Sequence, residues 1–198
     1  MDTLPSLQHV LSSSADPTSP LAKALVVLFE PSTTLFTHLV PQLAQSIPQT
    51  HIETYSNLID AALRSISTWD DPLKAEFIAG HPRIGEVKNL SHLSAKEQAA
   101  KATPPEVLAR LAHLNACYEH RYPGLRYITF VNGRTRAMIK DEMEDVLGIP
   151  RSLSADKPDI ASIGVVEVGG EVWRRELERA LQDVGKIAKS RLGSLGVE

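Results

Sequence analysis

Apolar residues recur at the spacing of an α-helix along almost the whole chain, and this pattern constrains the fold more than any other feature. The run Leu125 to Val131 resembles a β-strand, but it is short and has no partner strand, so we expect an extended connection. The pattern predicts an all-α fold, a bundle of about seven to nine helices with no significant β-sheet. It is clearest over residues 171 to 195, where one broad helical face carries Trp173, Leu177, Ala180, Leu181, Val184, Ile187, Ala188 and Leu192.

Capping residues, prolines and glycines divide the chain into the expected helices. Thr103 before two prolines predicts a helix start with Thr103 as its cap. Residues 81 to 93 contain Pro82 and Gly85 and follow no clean period, which indicates a structured loop. We expect residues 1–198 to form a single domain in which 1–20 and 151–170 are loop-like. Helices are predicted over residues 21–29, from 33, over 51–67, from 71 to 79, from 94, after 103, over 134–147 and over 171–195.

The composition allows a folded core and argues against several classes of partner. With 42% apolar residues in a chain of 198, a core can form without disulfide or metal staples. The net charge of −3 provides no basic stripe for nucleic acid and no polybasic patch for a membrane surface. The single cysteine, Cys117, favours a reducing compartment, and the last residues form no peroxisomal targeting tripeptide. We therefore expect a cytoplasmic protein.

His81 is the strongest candidate for catalysis. It follows a helix stop at Gly80 and precedes Pro82, so a stiff loop holds its ring, and an imidazole exchanges protons near neutral pH. The alternative is a structural histidine that caps the last carbonyls of the preceding helix, and composition alone favours that alternative. The sequence contains no nucleophile elbow, P-loop, dinucleotide-binding or zinc-protease motif, so we expect no cofactor.

Three further residues are candidates for binding an anion. Ser94 and Glu97 have the spacing of a capping box, in which Glu97 bonds back to the Ser94 amide. Alternatively, both face a pocket at a positive helix N-terminus that favours an anionic substrate. The two roles compete for the Glu97 carboxylate. Arg191, beside the apolar Leu192, is either a solvated helix residue or an anion clamp at the edge of the buried face.

A metal site is the main alternative chemistry. Offsets of four and seven residues place His113, Cys117 and His120 on one helical face. No C-x-x-C pair or second histidine pair completes a tetrahedral set of ligands. Burial of His113 and Cys117 with His120 at the surface explains the pattern more simply, so we expect no metal.

Four segments, taken in order, carry a family resemblance. His81-Pro82 followed by the box from Ser94 to Gln98 has the form HP…(S/T)xxEQ, and Leu114 to Ile128 has the form LNxxYxxrFgfpFi. Gly133 to Arg136 and Ile187 to Leu192 have the forms G.tr and I…RL. These motifs resemble those of the 2-oxo-4-hydroxy-4-carboxy-5-ureidoimidazoline (OHCU) decarboxylases, over most of the chain after residue 20.

The resemblance implies an all-helical, cofactor-free homodimer that converts OHCU, an intermediate of urate degradation, into (S)-allantoin and CO2. It assigns His81 as the catalytic acid/base and Glu97 as its partner carboxylate. With Ser94, Glu97 and Arg191 in family order, the catalytic interpretation of His81 becomes the favoured one. The resemblance assigns substrate binding to Pro82, Ser94, Tyr127, Ile128, Thr129 and Arg191.

Two segments differ from the commoner family pattern and leave alternatives open. Arg83 to Glu86 stand where many relatives have DLAGK, and Tyr122 to Tyr127 replace FGFPF. One alternative is a paralogue without turnover that binds another small anionic ureido or imidazole compound. A metal-dependent hydrolase that uses His113, Cys117 and His120 is another. A pure scaffold needs none of the candidate catalytic side chains, which argues for the decarboxylase.

Overall fold

The computed structural model describes residues 3–86, 93 and 103–197. Within these residues there are eight α-helices and no β-strand, which confirms the predicted all-α class. A π-helix spans Leu35–Leu39, and 3₁₀-helices span Ile47–Gln49 and Ile160–Ser162. The α-helices are α1 (Leu7–Leu11), α2 (Pro20–Phe29), α3 (Val40–Ser46), α4 (Tyr55–Ser67), α5 (Asp71–Ala79), α6 (Pro105–Arg121), α7 (Arg136–Leu147) and α8 (Glu171–Leu195).

Local capping sets where the helices begin. Helix α4 starts at Tyr55, four residues after the predicted start, because Thr54 and Asn57 form a reciprocal capping box. The predicted cap Thr103 is wrong, since the residue before α6 is Pro104, which makes no side-chain cap bond. Proline is favoured at the first helical turn because its missing N–H is not needed there, and Pro105 takes the first position of this helix.

The described chain divides into two compact units. The first unit comprises residues 3–81 and 181–197, and the second unit comprises residues 82–180. Helix α8 begins in the second unit and ends in the first. The expected single domain stays a prediction.

The first unit has an aromatic core beneath the end of α5. Phe77 packs against Phe29 with ring centroids 6.1 Å apart, and it meets Trp69 edge-on at 5.8 Å. Trp69 is fixed in turn, because its indole N–H donates to Gln42 Oε1 over 2.7 Å. Edge-on aromatic pairs of this kind add to the stability from buried area. The C-terminal end of α5 therefore rests on a rigid layer of rings.

The second unit has a buried ionic cluster between α6 and α7. Arg110 and Glu144 are both fully buried, and Arg110 Nε donates to Glu144 Oε1 over 2.8 Å. Arg110 also donates to the Ser154 carbonyl oxygen over 2.9 Å. The second contact fixes residue 154 within 151–170, a segment predicted to be loop-like, which contains no α-helix. The other segment expected to be loop-like, residues 1–20, differs because it includes α1.

Among the described residues, no helix is both long enough and apolar enough to cross a bilayer.

Candidate functional site

His81 is buried at the end of α5, within the first unit. Its backbone amide donates to the Ile78 carbonyl oxygen over 3.0 Å, which extends the last turn of the helix. Its ring packs edge-on against Phe77, with centroids 5.6 Å apart and planes at 74°. Only 4% of His81 is exposed. The ring also bonds to the backbone of Phe77 and Ile78, so His81 makes the contacts with the helix end that the structural alternative requires, and its ring lies in the core.

Gly80 allows the end of α5 to pass close to Ser32 before the chain continues into His81. A Cβ atom at Gly80 would lie 2.6 Å from the Ser32 Cβ atom, well inside van der Waals contact. The backbone dihedrals of Gly80 are ordinary, so the glycine is needed for space and not for conformation. The end of α5 can therefore approach Ser32 only without a side chain at position 80.

Replacing Gly80 with alanine is expected to lower the free energy of unfolding by about 1–3 kcal/mol, because an added methyl group overpacks this contact. Urea unfolding followed by the helical circular dichroism signal measures the change. Gly193 in α8 is the matched control, since a Cβ atom there meets nothing within 4 Å. Alanine at Gly193 should leave stability unchanged or raise it by up to about 1 kcal/mol. Equal stability of the Gly80→Ala variant and the wild type would refute the close approach.

Arg191 is held at the C-terminal end of α2. Its Nη1 atom donates to the carbonyl oxygens of Val27 and Leu28 over 3.0 and 3.3 Å. Its Nη2 atom donates to Glu30 Oε1 over 2.5 Å. Only 2% of Arg191 and 3% of Glu30 are exposed. Of the two predicted alternatives, a solvated helix residue is therefore wrong, and the guanidinium already reaches one carboxylate of the protein.

The charges of this pair act on His81. Burial and the positive charge of Arg191 together lower the pKa of His81 from 6.5 to about 4, while the Glu30 carboxylate opposes the shift. The imidazole is consequently neutral at neutral pH and able to accept a proton. The structure thus brings two sequence-predicted residues, His81 and Arg191, into one buried electrostatic cluster with Glu30.

Glu30 was not among the residues predicted from the sequence. Its local signal was an acidic residue at the junction of an apolar helix and Pro31, where a side chain is expected to face solvent. The backbone offers a stronger signal, since Glu30 has φ 68° and ψ 148°. A positive φ is uncommon outside glycine, and the residues around Glu30 do not predict it.

In the second unit, the loop after His81 is fixed by α6. Asn115 donates from Nδ2 to the Ile84 carbonyl oxygen over 3.0 Å. Arg83 makes a two-point ion pair with Glu119, with Nε–Oε1 and Nη2–Oε2 distances of 2.6 and 2.9 Å. Pro82 is half-buried at the start of this segment. The structure therefore supports the predicted stiff loop over residues 81–86, whereas Leu93, the other described residue of the predicted 81–93 loop, is helical.

Tyr127, Ile128 and Thr129 also lie in the second unit, in the extended run predicted from the sequence. The Ile128 carbonyl oxygen accepts a hydrogen bond from Arg179 Nη1 over 2.9 Å. The hydroxyls of Tyr127 and Thr129 donate to Glu142 Oε1 over 2.7 and 3.1 Å. Among the described residues, none accepts a hydrogen bond from the backbone amides of these three positions. The hydroxyls of Tyr127 and Thr129 therefore bind within the protein, to Glu142.

Ser94 and Glu97 lie outside the described residues, so their roles stay predictions. His113 and Cys117, two of the three residues of the metal hypothesis, lie close together. His113 Nε2 lies 2.9 Å from the Pro158 carbonyl oxygen and 3.3 Å from Cys117 Sγ. Across the part of the chain that the structure describes, no three histidine, cysteine or acidic side chains group as metal ligands would. His113 instead ties α6 to residue 158.

Comparison with known proteins identifies the family. The model of the OHCU decarboxylase family matches residues 15–151, which is more than half of the chain. The chain belongs to the OHCU decarboxylase family. Comparison of this OHCU decarboxylase family member with curated proteins gives no significant match.

A solved structure supports the fold of this family member. It is similar to a crystal structure described as (S)-allantoin synthase, with a TM-score of 0.54 and 20% sequence identity. The match covers 96% of this chain and 54% of the other, so this chain spans about half the length of that protein. The likeness shows a shared helical fold.

Proposed function

We propose that this protein decarboxylates OHCU to (S)-allantoin and CO2 without a cofactor. One observation carries the proposal. In a member of the OHCU decarboxylase family, the expected proton carrier His81 is buried within the field of Arg191, the residue expected to hold the substrate carboxylate.

The substrate supplies its own electron sink. OHCU has a ring imine beside the carbon that bears its carboxylate and a hydroxyl group. When the bond to CO2 breaks, its electron pair moves into the C=N bond and the ring nitrogen takes up a proton. The resulting enol then loses its hydroxyl proton while the ureido-bearing carbon gains one, which gives allantoin. The protein has to carry protons and fix the face that is protonated.

His81 is suited to the proton transfers. Its neutral imidazole can accept the hydroxyl proton and afterwards donate a proton to carbon from one side. The pKa of about 4 applies without substrate. A bound carboxylate adds a negative charge near the ring, which raises this pKa towards neutral pH. Protonation by one fixed imidazole, held edge-on to Phe77, would give a single enantiomer.

Arg191 is suited to orient the substrate carboxylate. Both of its terminal nitrogens are anchored within the first unit, so the plane of the guanidinium is fixed before substrate binds. A guanidinium has five N–H donors in a rigid fork, and a charge-assisted pair with a carboxylate is stronger where water is excluded. The guanidinium would hold the carboxylate until CO2 departs.

The other implied roles are proposed on the family resemblance. Glu97 would orient His81, and Ser94 and Pro82 would contact the substrate. Backbone amides over residues 127–129 would bind the ureido and ring groups, in keeping with their lack of a partner among the described residues. A homodimer and a cytoplasmic location also stay predictions.

The direct test uses freshly generated OHCU and circular dichroism. Without enzyme, OHCU decays to racemic allantoin, which has no dichroic signal. We expect the wild-type protein to speed the appearance of the (S)-allantoin signal, with heat-denatured protein as the control. The alternative of a paralogue without turnover predicts racemic product at the spontaneous rate, and that result would overturn the proposed function.

A further inference from the structure

Glu30 stands out because its backbone is strained and its side chain is buried. Its φ of 68° and ψ of 148° lie in a region that glycine adopts readily and other residues rarely do. Pro31 follows, and proline pushes the preceding residue towards an extended ψ, so the strain resides in the positive φ. Such conformations persist only where the surrounding structure enforces them, and they cluster at functional sites.

The strained backbone delivers a carboxylate to Arg191. The Glu30 Oε1 and Arg191 Nη2 atoms are 2.5 Å apart, and both side chains are buried. The carbonyl oxygens of Val27 and Leu28 already accept bonds from Arg191 Nη1, which satisfies the end of α2 without any carboxylate. Glycine at position 30 would make the same turn without strain. Helix capping therefore does not explain why a glutamate occupies this position.

We propose that Glu30 is a positioning residue for the decarboxylation: its carboxylate fixes the Arg191 guanidinium at the buried cluster that contains His81. This inference rests on the proposed function. Two anchors at different nitrogens fix both the position and the plane of the guanidinium. The carbonyl oxygens hold only Nη1, and Glu30 holds Nη2. A substrate carboxylate docked on Arg191 then has one orientation relative to the His81 ring.

The charge of Glu30 has a second consequence at His81. The charged side chains that act on the buried imidazole are Arg191 on α8 and Glu30 at the end of α2. Arg191 lowers the pKa of His81 and Glu30 raises it. Removing the carboxylate leaves the positive charge unbalanced, so the imidazole becomes harder to protonate. Loss of Glu30 thus disturbs both the orientation of Arg191 and the proton affinity of His81.

The test compares Glu30→Gln, Glu30→Asp and Glu30→Gly with the wild type. Glu30→Gln keeps the shape of the side chain and removes its charge. We expect kcat/KM for (S)-allantoin formation to fall about 10- to 100-fold, because the Arg191 guanidinium is misplaced. Glu30→Asp keeps the charge and should recover part of this loss. Glu30→Gly relieves the strained backbone, so it is expected to fold even if Glu30→Gln does not.

Asp60→Asn is the matched control. Asp60 Oδ1 also pairs with a cation of α8, Lys189, over 2.7 Å, but both side chains are partly exposed and not buried as Glu30 and Arg191 are. Its loss should leave kcat/KM unchanged. If Glu30→Gln or Glu30→Gly folds and matches the wild type in kcat/KM, the inference is overturned.

A second readout does not depend on turnover. NMR of the ring protons can follow His81, whose signal among the seven histidines is identified by its loss in His81→Asn. We expect Glu30→Gln to lower the His81 pKa further, and an unshifted His81 signal overturns the inference. A wild-type protein that forms no (S)-allantoin, with a His81 signal that moves in Glu30→Gln, refutes the proposed function and supports the placement of Arg191 by Glu30.

Discussion

Replacing His81 with asparagine is expected to reduce the formation of (S)-allantoin almost to the spontaneous rate. General acid–base catalysis contributes about 10²- to 10⁴-fold, and an asparagine amide cannot exchange protons near neutral pH. Asparagine fills much of the space of the imidazole beside Phe77, so the variant should keep its fold. The decisive measurement is the initial rate of the circular dichroism signal, compared with the decay of OHCU alone.

His51→Asn is the matched control for this experiment. His51 is largely exposed and pairs with Glu53 on the surface, so its replacement should leave the rate unchanged. Retention of the wild-type rate by His81→Asn would show that another group carries the proton. A shared loss of rate in both variants would instead indicate a general sensitivity to substitution.

The strongest periodic patterns gave the most accurate predictions. Helix α8 has the predicted bounds, Glu171–Leu195, because a long helix with one continuous apolar face leaves little choice of structure. The start of α4 was predicted four residues early, since apolar spacing does not locate a cap. The Thr54–Asn57 pair does locate it, but Asn at the third helical position falls outside the usual Glu or Gln signature.

The candidate site was only partly predictable for a different reason. His81 could be singled out because its position between a helix stop and a proline is encoded locally. The partner of Arg191 could not, because Glu30 lies 161 residues away along the chain. Neither the sequence around Glu30 nor that around Arg191 predicts this pairing, because it depends on α8 packing against the end of α2. Glu30 is therefore a residue that only the folded structure reveals.

The buried cluster around Glu144 should dominate the stability of the second unit. Glu144 is fully buried and accepts from Arg110 Nε over 2.8 Å, from Lys140 Nζ over 2.6 Å and from the Ser152 amide over 2.9 Å. Its replacement by leucine leaves the two cations without this shared carboxylate. Breaking a buried ion pair by removing one partner costs about 3–5 kcal/mol. We expect Glu144→Leu to lower the free energy of unfolding by this amount in urea denaturation.

Asp145→Leu is the control, because Asp145 is the next residue of α7 and its ion pair with Arg151 over 2.9 Å is exposed. Its loss should change stability by less than about 1 kcal/mol. The combined Arg110→Met and Glu144→Leu variant should recover part of the loss, since removing both charges ends the uncompensated burial of Arg110. If Glu144→Leu is no less stable than Asp145→Leu, burial of the cluster contributes little. A double variant as unstable as Glu144→Leu alone would place the cost in hydrogen bonds that it does not restore, namely those of Glu144 to Ser152 and Lys140 and that of Arg110 to the Ser154 carbonyl oxygen.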